Sequence, residues 1–477
     1  MSRTVAETAE VAADIAPYLE SWLEHQRRRA RVPGVQAAVR VGDRLVLDTA
    51  LGVADVGTGE PLTTGHLFRI ASHSKTFTAT AVLQLVEAGR MRLDDPIGRW
   101  VPALAGSALA EVTVRELLGH QGGVIRDGRD CDHWQLLHPF PDADRLTAIA
   151  TGEGSVLGRN EHFKYSNIGY SLLGLAIEAV TGTGYAAHVQ AEVIDRLGLA
   201  DTSPEWDPAR AGDYAAGHTG LLDGEDERLT VPHVDTRAMA AATGFSSTAR
   251  DLTTYGAAHF TGEDTLLTDA SKRLMRRRES EIRAHGGEPE YYGLGVDLRT
   301  EGERELIGHG GGYPGHITRT WIDPAGQVVV SVLTNAIDGP ATGLARGLLR
   351  LLDLALAAPE DAERPPADEL QRYTGRFADL WSTTDVALLG GRLVLLHPNA
   401  PDPVEQYSEL TVVDPDTLRL ETVPGFGSPG ETVDYEWADD GAVRRIRIGG
   451  GSAWPLADFR ARRAAQVAAM QRPDGVS

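Results

Sequence analysis

The stretch AAPEDAERPP at 357–366 divides this chain into two parts that cannot share one architecture. It is polar and Pro-rich, so it can neither bury a face nor continue a helix, and it reads as a linker. Ahead of it, apolar residues recur at helical spacing over long runs. They predict helices at 8–30, Ser72–Ala88, 113–119, Gly169–Thr181, Thr248–Phe260 and 340–356. Val35–Val41 and Arg44–Ala50 alternate around Gly42-Asp43 and predict a hairpin. Residues 292–300, 304–308, 316–323 and 326–335 read as successive strands of an antiparallel sheet. Behind the linker only short strands remain, at Thr374–Phe377, Asp385–Leu389, Arg392–Leu396, Glu409–Val413, Thr417–Thr422, Asp434–Trp437 and Arg444–Ile448. A meander of that kind closes most readily into a small barrel. The expected organisation is an α+β domain over 1–356, a linker over 357–366 and a β-barrel over 367–465.

A length of 477 residues suits that division better than a single core. With 42% hydrophobic and 24% charged residues, the chain has a globular composition. A formal charge of −22 would repel a phosphate backbone or anionic lipid, so neither nucleic acid nor a membrane is an expected partner. Cys131 is the single cysteine, which rules out an intramolecular disulfide and disfavours structural zinc. No metal and no cofactor is expected. The N-terminus, MSRTVAETAEVAADIAPYLESWLEHQRRR, shows no uninterrupted apolar run behind a basic start, and no later run reaches the length of a membrane span. A cytoplasmic location is the expectation.

Of 46 Lys and Arg residues, only Lys75, Lys164 and Lys272 are lysine. Where Arg is the default, each retained lysine calls for a reason. Lys75 follows Ser72 by three positions at the start of a predicted helix, which puts both side chains on one face. The Ser72 N–H is then one of the helix's unsatisfied donors and can form half of an oxyanion hole. A lysine shielded from water could be neutral, or could hold a neighbouring phenol as phenolate; either form helps remove the serine proton. Taken alone, S-x-x-K is more often an N-capping Ser beside an exposed Lys.

Tyr165-Ser166-Asn167 is the one Y-x-N in the chain. In an extended segment, Tyr165 and Asn167 point the same way and can enter one cleft. A phenol beside a buried ammonium has a depressed pKa and can relay protons. An amide can bond both a lysine and a substrate amide. His309-Gly310-Gly311, within GHGGGYPGH, is an H-x-G, as are the segments that begin at His120, His218 and His285. His309 stands out because it lies between two predicted strands, where glycines let a substrate approach a strand edge. It could serve as general acid or electrostatic anchor, and the Gly312 amide could be the second oxyanion donor. The loop Arg126–Asp142 holds Asp130, His133, Trp134, His138 and Phe140, a density that suits a pocket wall as well as a packed surface loop. There is no G-x-S-x-G, H-E-x-x-H or P-loop.

The order S-x-x-K, Y-x-N, H-x-G resembles that of the penicillin-binding-protein and class C β-lactamase superfamily of serine hydrolases. LFRIASHSKTFTATAVLQLVEAGRMRLDDPI, VTVRELLGHQGGV, FKYSNIGYSLLGLAIEAVTG, GFSSTARDL, YYGLGVDL and GHGGGYPGH are similar to family blocks in the same order. The resemblance implies an all-α lobe beside an α/β lobe built on a five-stranded antiparallel sheet, with the site between them. It also implies that Ser72, activated by Lys75 and Tyr165, attacks a carbonyl. The amides of Ser72 and Gly312 would hold the oxyanion, an acyl-Ser72 ester would form, and Asn167 and His309 would orient the substrate. Gly310, Gly311, Gly312 and Trp134 are the expected oxyanion and substrate-binding positions.

One departure narrows the function. Penicillin-binding proteins and β-lactamases carry Lys-Thr/Ser-Gly where this chain has His309-Gly310-Gly311. That lysine helps bind the substrate carboxylate; the H-x-G variant is typical of the superfamily's esterases, D-amino-acid peptidases and amidases, and peptide-cyclising thioesterases. The C-terminal meander resembles the lipocalin-like domain of D-aminopeptidases and penicillin-binding-protein-type thioesterases. The leading expectation is a serine hydrolase cleaving amide or ester bonds in small peptides with D-residues. The alternatives are a thioesterase that macrocyclises a peptide held on a peptidyl carrier protein, and a non-catalytic ligand receptor.

Overall fold

A computed structural model describes residues 3–282, 289–358, 365–421 and 428–470. The chain divides into two compact units: Ala30–Ala345, and Met1–Arg29 together with Arg346–Ser477. The boundary expected from composition lay at 356/357, and most of the expected linker, 359–364, lies outside the described residues. The terminal helices group with the barrel because their side chains reach it or each other. Tyr18 donates to Asp385 (3.0 Å), His25 bonds Asn399 (2.8 Å), and Trp22 fills the space where a side chain at Gly347 would stand.

The Ala30–Ala345 unit is built on one antiparallel sheet. Its strands are β1 (Gly34–Val41), β2 (Arg44–Asp55), β3 (Glu60–Pro61), β4 (Ser280–Ile282), β5 (Glu290–Tyr292), β6 (Asp297–Glu301), β7 (Arg304–Tyr313), β8 (His316–Asp323) and β9 (Val328–Thr334). The spatial order is β3-β2-β1-β9-β8-β7-β6-β5-β4. Five long strands, β1, β2, β7, β8 and β9, form the body expected from the resemblance, and four short ones extend its edges. The expected strand at 292–300 is broken: Tyr292 ends β5 and Asp297 begins β6, because Gly295 takes φ +84° between them. The expected strand at 304–308 runs on to Tyr313, so His309 lies inside a strand and not between two.

Helix α1 spans Val5–Arg29, and α2 spans Ser74–Glu87 after a 3-10 turn at Ala71–His73. Ser72 therefore sits in that turn, ahead of the helix expected to begin with it. Almost every residue of α2 from Ser74 to Leu85 is buried, the mark of a helix through the middle of a core. Phe77 stacks on Tyr255 (ring centroids 3.8 Å) and packs on Phe245 (4.6 Å), burial that contributes about 2 kcal/mol per ring. The small hydroxyl residues at its start are satisfied: Ser74, Thr76 and Thr78 donate to the carbonyls of Ala71, His73 and Ala241. Helix α3 spans Asn167–Thr181, capped by Ser166 and ended by Gly182; α4 spans Ala249–Ala257, capped by Thr248, and lies against β1 and β9.

In the other unit, α5 (Ala341–Leu356, its first residues in the sheet unit) precedes eight strands: β10 (Gly375–Ala378), β11 (Thr383–Leu389), β12 (Arg392–Leu396), β13 (Ser408–Asp414), β14 (Thr417–Leu420), β15 (Thr432–Trp437), β16 (Val443–Ile448) and β17 (Gly451–Pro455). They form a closed barrel, sealed where Phe377 faces Pro455 and Ala378 faces Trp454. Strand β17 was not expected; the strands read from sequence end at Ile448. Thr422, expected in β14, lies outside the described residues. Phe377, Val386, Leu393, Leu395, Leu418, Val433 and Ile446 fill the interior, and α6 (Leu456–Met470) follows. Among the described residues, no helix is long and apolar enough to cross a membrane.

Candidate active site

The nucleophile turn is built under strain. Ala71, immediately before Ser72, has φ +46°, a left-handed conformation costly for a residue with a Cβ. The surroundings hold it there. Ser74 Oγ donates to the Ala71 carbonyl (2.6 Å) and accepts from the Phe245 N–H (3.1 Å). Arg69, fully buried, donates to the carbonyls of Val234 (2.9 Å) and Gly244 (3.1 Å) and pairs with Glu205 (2.7 Å).

Lys75 is 0% exposed, and its ammonium position has three oxygens around it. Nζ lies 2.7 Å from Asn167 Oδ1, 2.8 Å from the Ala242 carbonyl and 3.2 Å from Ser72 Oγ. Among the described residues no carboxylate touches it, and burial pushes its pKa well below the ordinary lysine value, with Asp127 pulling the other way. A neutral amine fits this cage. Two N–H bonds go to Asn167 and Ala242, and the nitrogen lone pair then faces the Ser72 hydroxyl. Neither other lysine has this setting. Lys272 is spent on the Phe260 carbonyl (2.6 Å), the Glu263 carbonyl and Asp269 (2.9 Å), and Lys164 is only half-buried.

Tyr165 Oη lies 2.8 Å from Ser72 Oγ, and its ring centre is 4.7 Å from Lys75 Nζ. The expectation of a depressed phenol is corrected: burial raises the Tyr165 pKa, so with a neutral lysine beside it the phenol keeps its proton. Asn167 also differs from expectation. Its Oδ1 faces Lys75, but its Nδ2 donates to Asp127 Oδ1 at 2.7 Å, so both ends are used inside the protein.

His309 enters from β7. Its Nδ1 lies 2.6 Å from the Gly310 carbonyl and its Nε2 3.0 Å from Tyr292 Oη, so both ring nitrogens have partners. Burial lowers its pKa to about 4, against the pull of Asp297. It is therefore neutral near pH 7, which removes the electrostatic-anchor role expected for it. Strand β6 pairs β7 only from Arg304 to Gly308, so among the described residues the strand beyond Gly308 has a partner strand on the β8 side alone. Gly311 crosses directly over the nucleophile turn: a Cβ there would lie 2.1 Å from the Ile70 carbonyl oxygen. Gly310 lies beside the Arg319 guanidinium, and Gly312 has room.

The structure thus brings Ser72, Lys75, Tyr165 and Asn167 into one hydrogen-bonded group, with the His309–Gly312 strand alongside. It does not bring Trp134 to them. Trp134 packs on Phe140 (5.0 Å) and His133 (5.8 Å) within its own loop and shares no hydrogen bond or ring contact with that group among the described residues. Of the other H-x-G histidines, His218 bonds the Asn335 carbonyl (2.7 Å) and the Val56 N–H (3.2 Å), and His285 lies outside the described residues. His120 is buried behind Tyr165, with ring centroids 4.3 Å apart, and its Nδ1 accepts from the Ser166 N–H (3.1 Å).

Sequence reasoning missed Asp127, Tyr292 and the Ala242 carbonyl. Tyr292 lies in the family-like block YYGLGVDL and Asp127 in the Arg126–Asp142 loop, neither marked by a motif of its own, and Ala242 acts through its backbone.

The family described as Beta-lactamase matches residues 19–355. Penicillin-binding protein 4 of Amycolatopsis lactamdurans is 29% identical over 365 residues, 72% of this chain and 91% of that one. The crystal structure of SurE superposes with a TM-score of 0.59 at 25% identity, covering 94% of this chain and 99% of its own. A D-amino acid amidase from Ochrobactrum anthropi SV3, complexed with L-phenylalanine amide, gives 0.60 at 26% identity over 72% of this chain and 99% of its own.

Proposed function

Since the chain belongs to the beta-lactamase family of serine acyl-enzymes, we propose that it is a hydrolase of amide or ester bonds, acting on small peptides or amides with D-residues. The observation that carries this reading is the position of Ser72 Oγ, 3.2 Å from the buried Lys75 nitrogen and 2.8 Å from the Tyr165 hydroxyl. Neutral Lys75 takes the Ser72 proton as Oγ attacks the carbonyl. The carbonyl oxygen, now negative, is received by the N–H groups of Ser72 and Gly312. Tyr165 donates its proton to the departing amine or alkoxide, and the proton taken up by Lys75 then passes to the Tyr165 oxygen. Water then attacks the acyl-Ser72 ester by the reverse of these transfers. The free β7 edge at His309–Tyr313 offers backbone groups to an extended substrate. The D-residue preference is supported by the likeness to the D-amino acid amidase.

The test is intact mass after a fluorophosphonate probe, wild type against Ser72→Ala, followed by D- and L-phenylalanine amide as substrates. A single adduct on wild type, absent from Ser72→Ala, with faster release of ammonia from the D-amide, is expected. A folded wild type that takes no adduct refutes the acyl-enzyme reading. Macrolactam from a peptidyl thioester mimic, without amide hydrolysis, refutes the substrate assignment in favour of transfer.

A further inference from the structure

Asn167 presents two ends of the same shape, and only one is useful to Lys75. Its oxygen can accept from the lysine; its NH₂, turned inward, would confront a group that has nothing to accept with once protonated. Something must choose the flip. Asp127, 5% exposed, accepts the Asn167 NH₂ at 2.7 Å, and an ionised carboxylate can only accept. The loop that carries Asp127 is tied down by its backbone: the Arg126 carbonyl accepts from the N–H groups of Asn167 (2.9 Å) and Ile168 (3.1 Å). Arg126 Nε lies 3.2 Å from Asp127 Oδ2, its side chain is 64% exposed, and its guanidinium stands 5.2 Å from the Tyr165 ring centre. We propose that Asp127 is the positioning residue of this site, fixing the Asn167 amide for Lys75 and setting, against Arg126, the charge balance around the lysine. The proposal rests on the acyl-enzyme reading above.

The groups that face Lys75 are Ser72 and Tyr165, Tyr170 (ring centre 5.6 Å away), Asp127 and Arg126, with His120, His309 and Asp297 further out. Burial depresses the lysine, Asp127 is the strongest electrostatic counterweight, and Arg126 opposes it. The two neighbours in sequence therefore have opposite effects, and that opposition is the testable content.

The experiment measures the second-order rate of fluorophosphonate labelling of the full chain from pH 5 to 10. Neutral Lys75 is the base, so the rate rises through the lysine pKa. Asp127→Asn keeps an acceptor oxygen and the shape but loses the charge. Its acid limb should move down by about one pH unit, with the plateau within a few-fold of wild type. Arg126→Ala, at an exposed position, should move the limb up, by roughly half a unit because water screens the guanidinium. Asp127→Ala loses acceptor and charge together, and its plateau should fall about 10- to 100-fold. A structural role alone would lower rates without moving the limb. Limbs that stay in place, or move the same way in Asp127→Asn and Arg126→Ala while wild type labels normally, overturn this proposal alone. A wild type that does not label overturns the acyl-enzyme reading and this proposal with it.

Discussion

Replacing Gly311 by Ala should disable the site while leaving the fold standing. The added Cβ would lie 2.1 Å from the Ile70 carbonyl oxygen and 2.5 Å from Thr318 Oγ1. A carbon and an oxygen need about 3.2 Å, so β7 and the nucleophile turn must part by roughly 1 Å. Overpacking of this kind costs about 1–3 kcal/mol. For the Ala30–Ala345 unit, an unfolding entropy of about 2.1 cal/mol/K per residue converts about 2 kcal/mol into a Tm drop of about 3 °C. The chemistry should suffer more, because a misplacement of about 1 Å between reacting groups can cost about 100-fold in rate. Gly312→Ala is the control for stability. It adds the same methyl one residue on, where the nearest atom is Ile317 Cδ1 at 3.5 Å, an ordinary contact. Differential scanning calorimetry and fluorophosphonate labelling of both variants give the two readouts. If Gly311→Ala labels as fast as wild type and melts with it, the close crossing of β7 over Ile70 is wrong.

The pH profile of labelling in the wild type should show an acid limb well below the ordinary lysine value, since burial depresses Lys75, and no alkaline loss up to pH 10, since burial raises Tyr165. Acid should destabilise the Ala30–Ala345 unit early. His73 is held down to about 3, and His259 and His309 to about 4, all by burial, so the unfolded chain binds more protons below pH 6.5. Each histidine then removes up to about 1.4 kcal/mol per pH unit between 6.5 and its folded value. Calorimetric Tm between pH 7 and 5 checks this, and His259→Phe should flatten the slope. In the barrel unit, Asp385→Ala strands Arg376, which holds Asp385 by two bonds of 2.8 Å, and frees Tyr18. A loss of about 3 kcal/mol is expected from urea unfolding followed by barrel Trp fluorescence, and a loss below about 1 kcal/mol would refute the role of that pair.

Much of the fold was legible because its elements announce themselves locally. Thr113 and Glu116 form the capping box that starts a helix, Gly182 in a left-handed conformation ends α3, and Gly42 turns the first hairpin. Where local signals conflicted with tertiary need, the reading failed. The glycines after His309 look like a strand end, yet they continue β7, and at Gly311 only a residue without a Cβ can pass over Ile70. Gly451–Pro455 lies past the last strand read from sequence, yet it pairs with β10, because a barrel needs its last strand to close.

The residues that carry the chemistry divide in the same way. Ser72 and Lys75 lie three apart and Tyr165 and Asn167 two apart, and such spacings are properties of one helix or one extended segment, so the chain order alone could pair them. It could not pair Asn167 with Asp127, His309 with Tyr292, or Lys75 with the Ala242 carbonyl, which lie 40, 17 and 167 positions apart. Those contacts exist only once helix packing and strand register have placed the partners. Charge states follow the same rule. The sequence names a lysine, a phenol and an imidazole, but burial decides that the lysine can be neutral, that the phenol keeps its proton and that His309 is uncharged, because desolvation is a property of what surrounds a group and not of its neighbours along the chain.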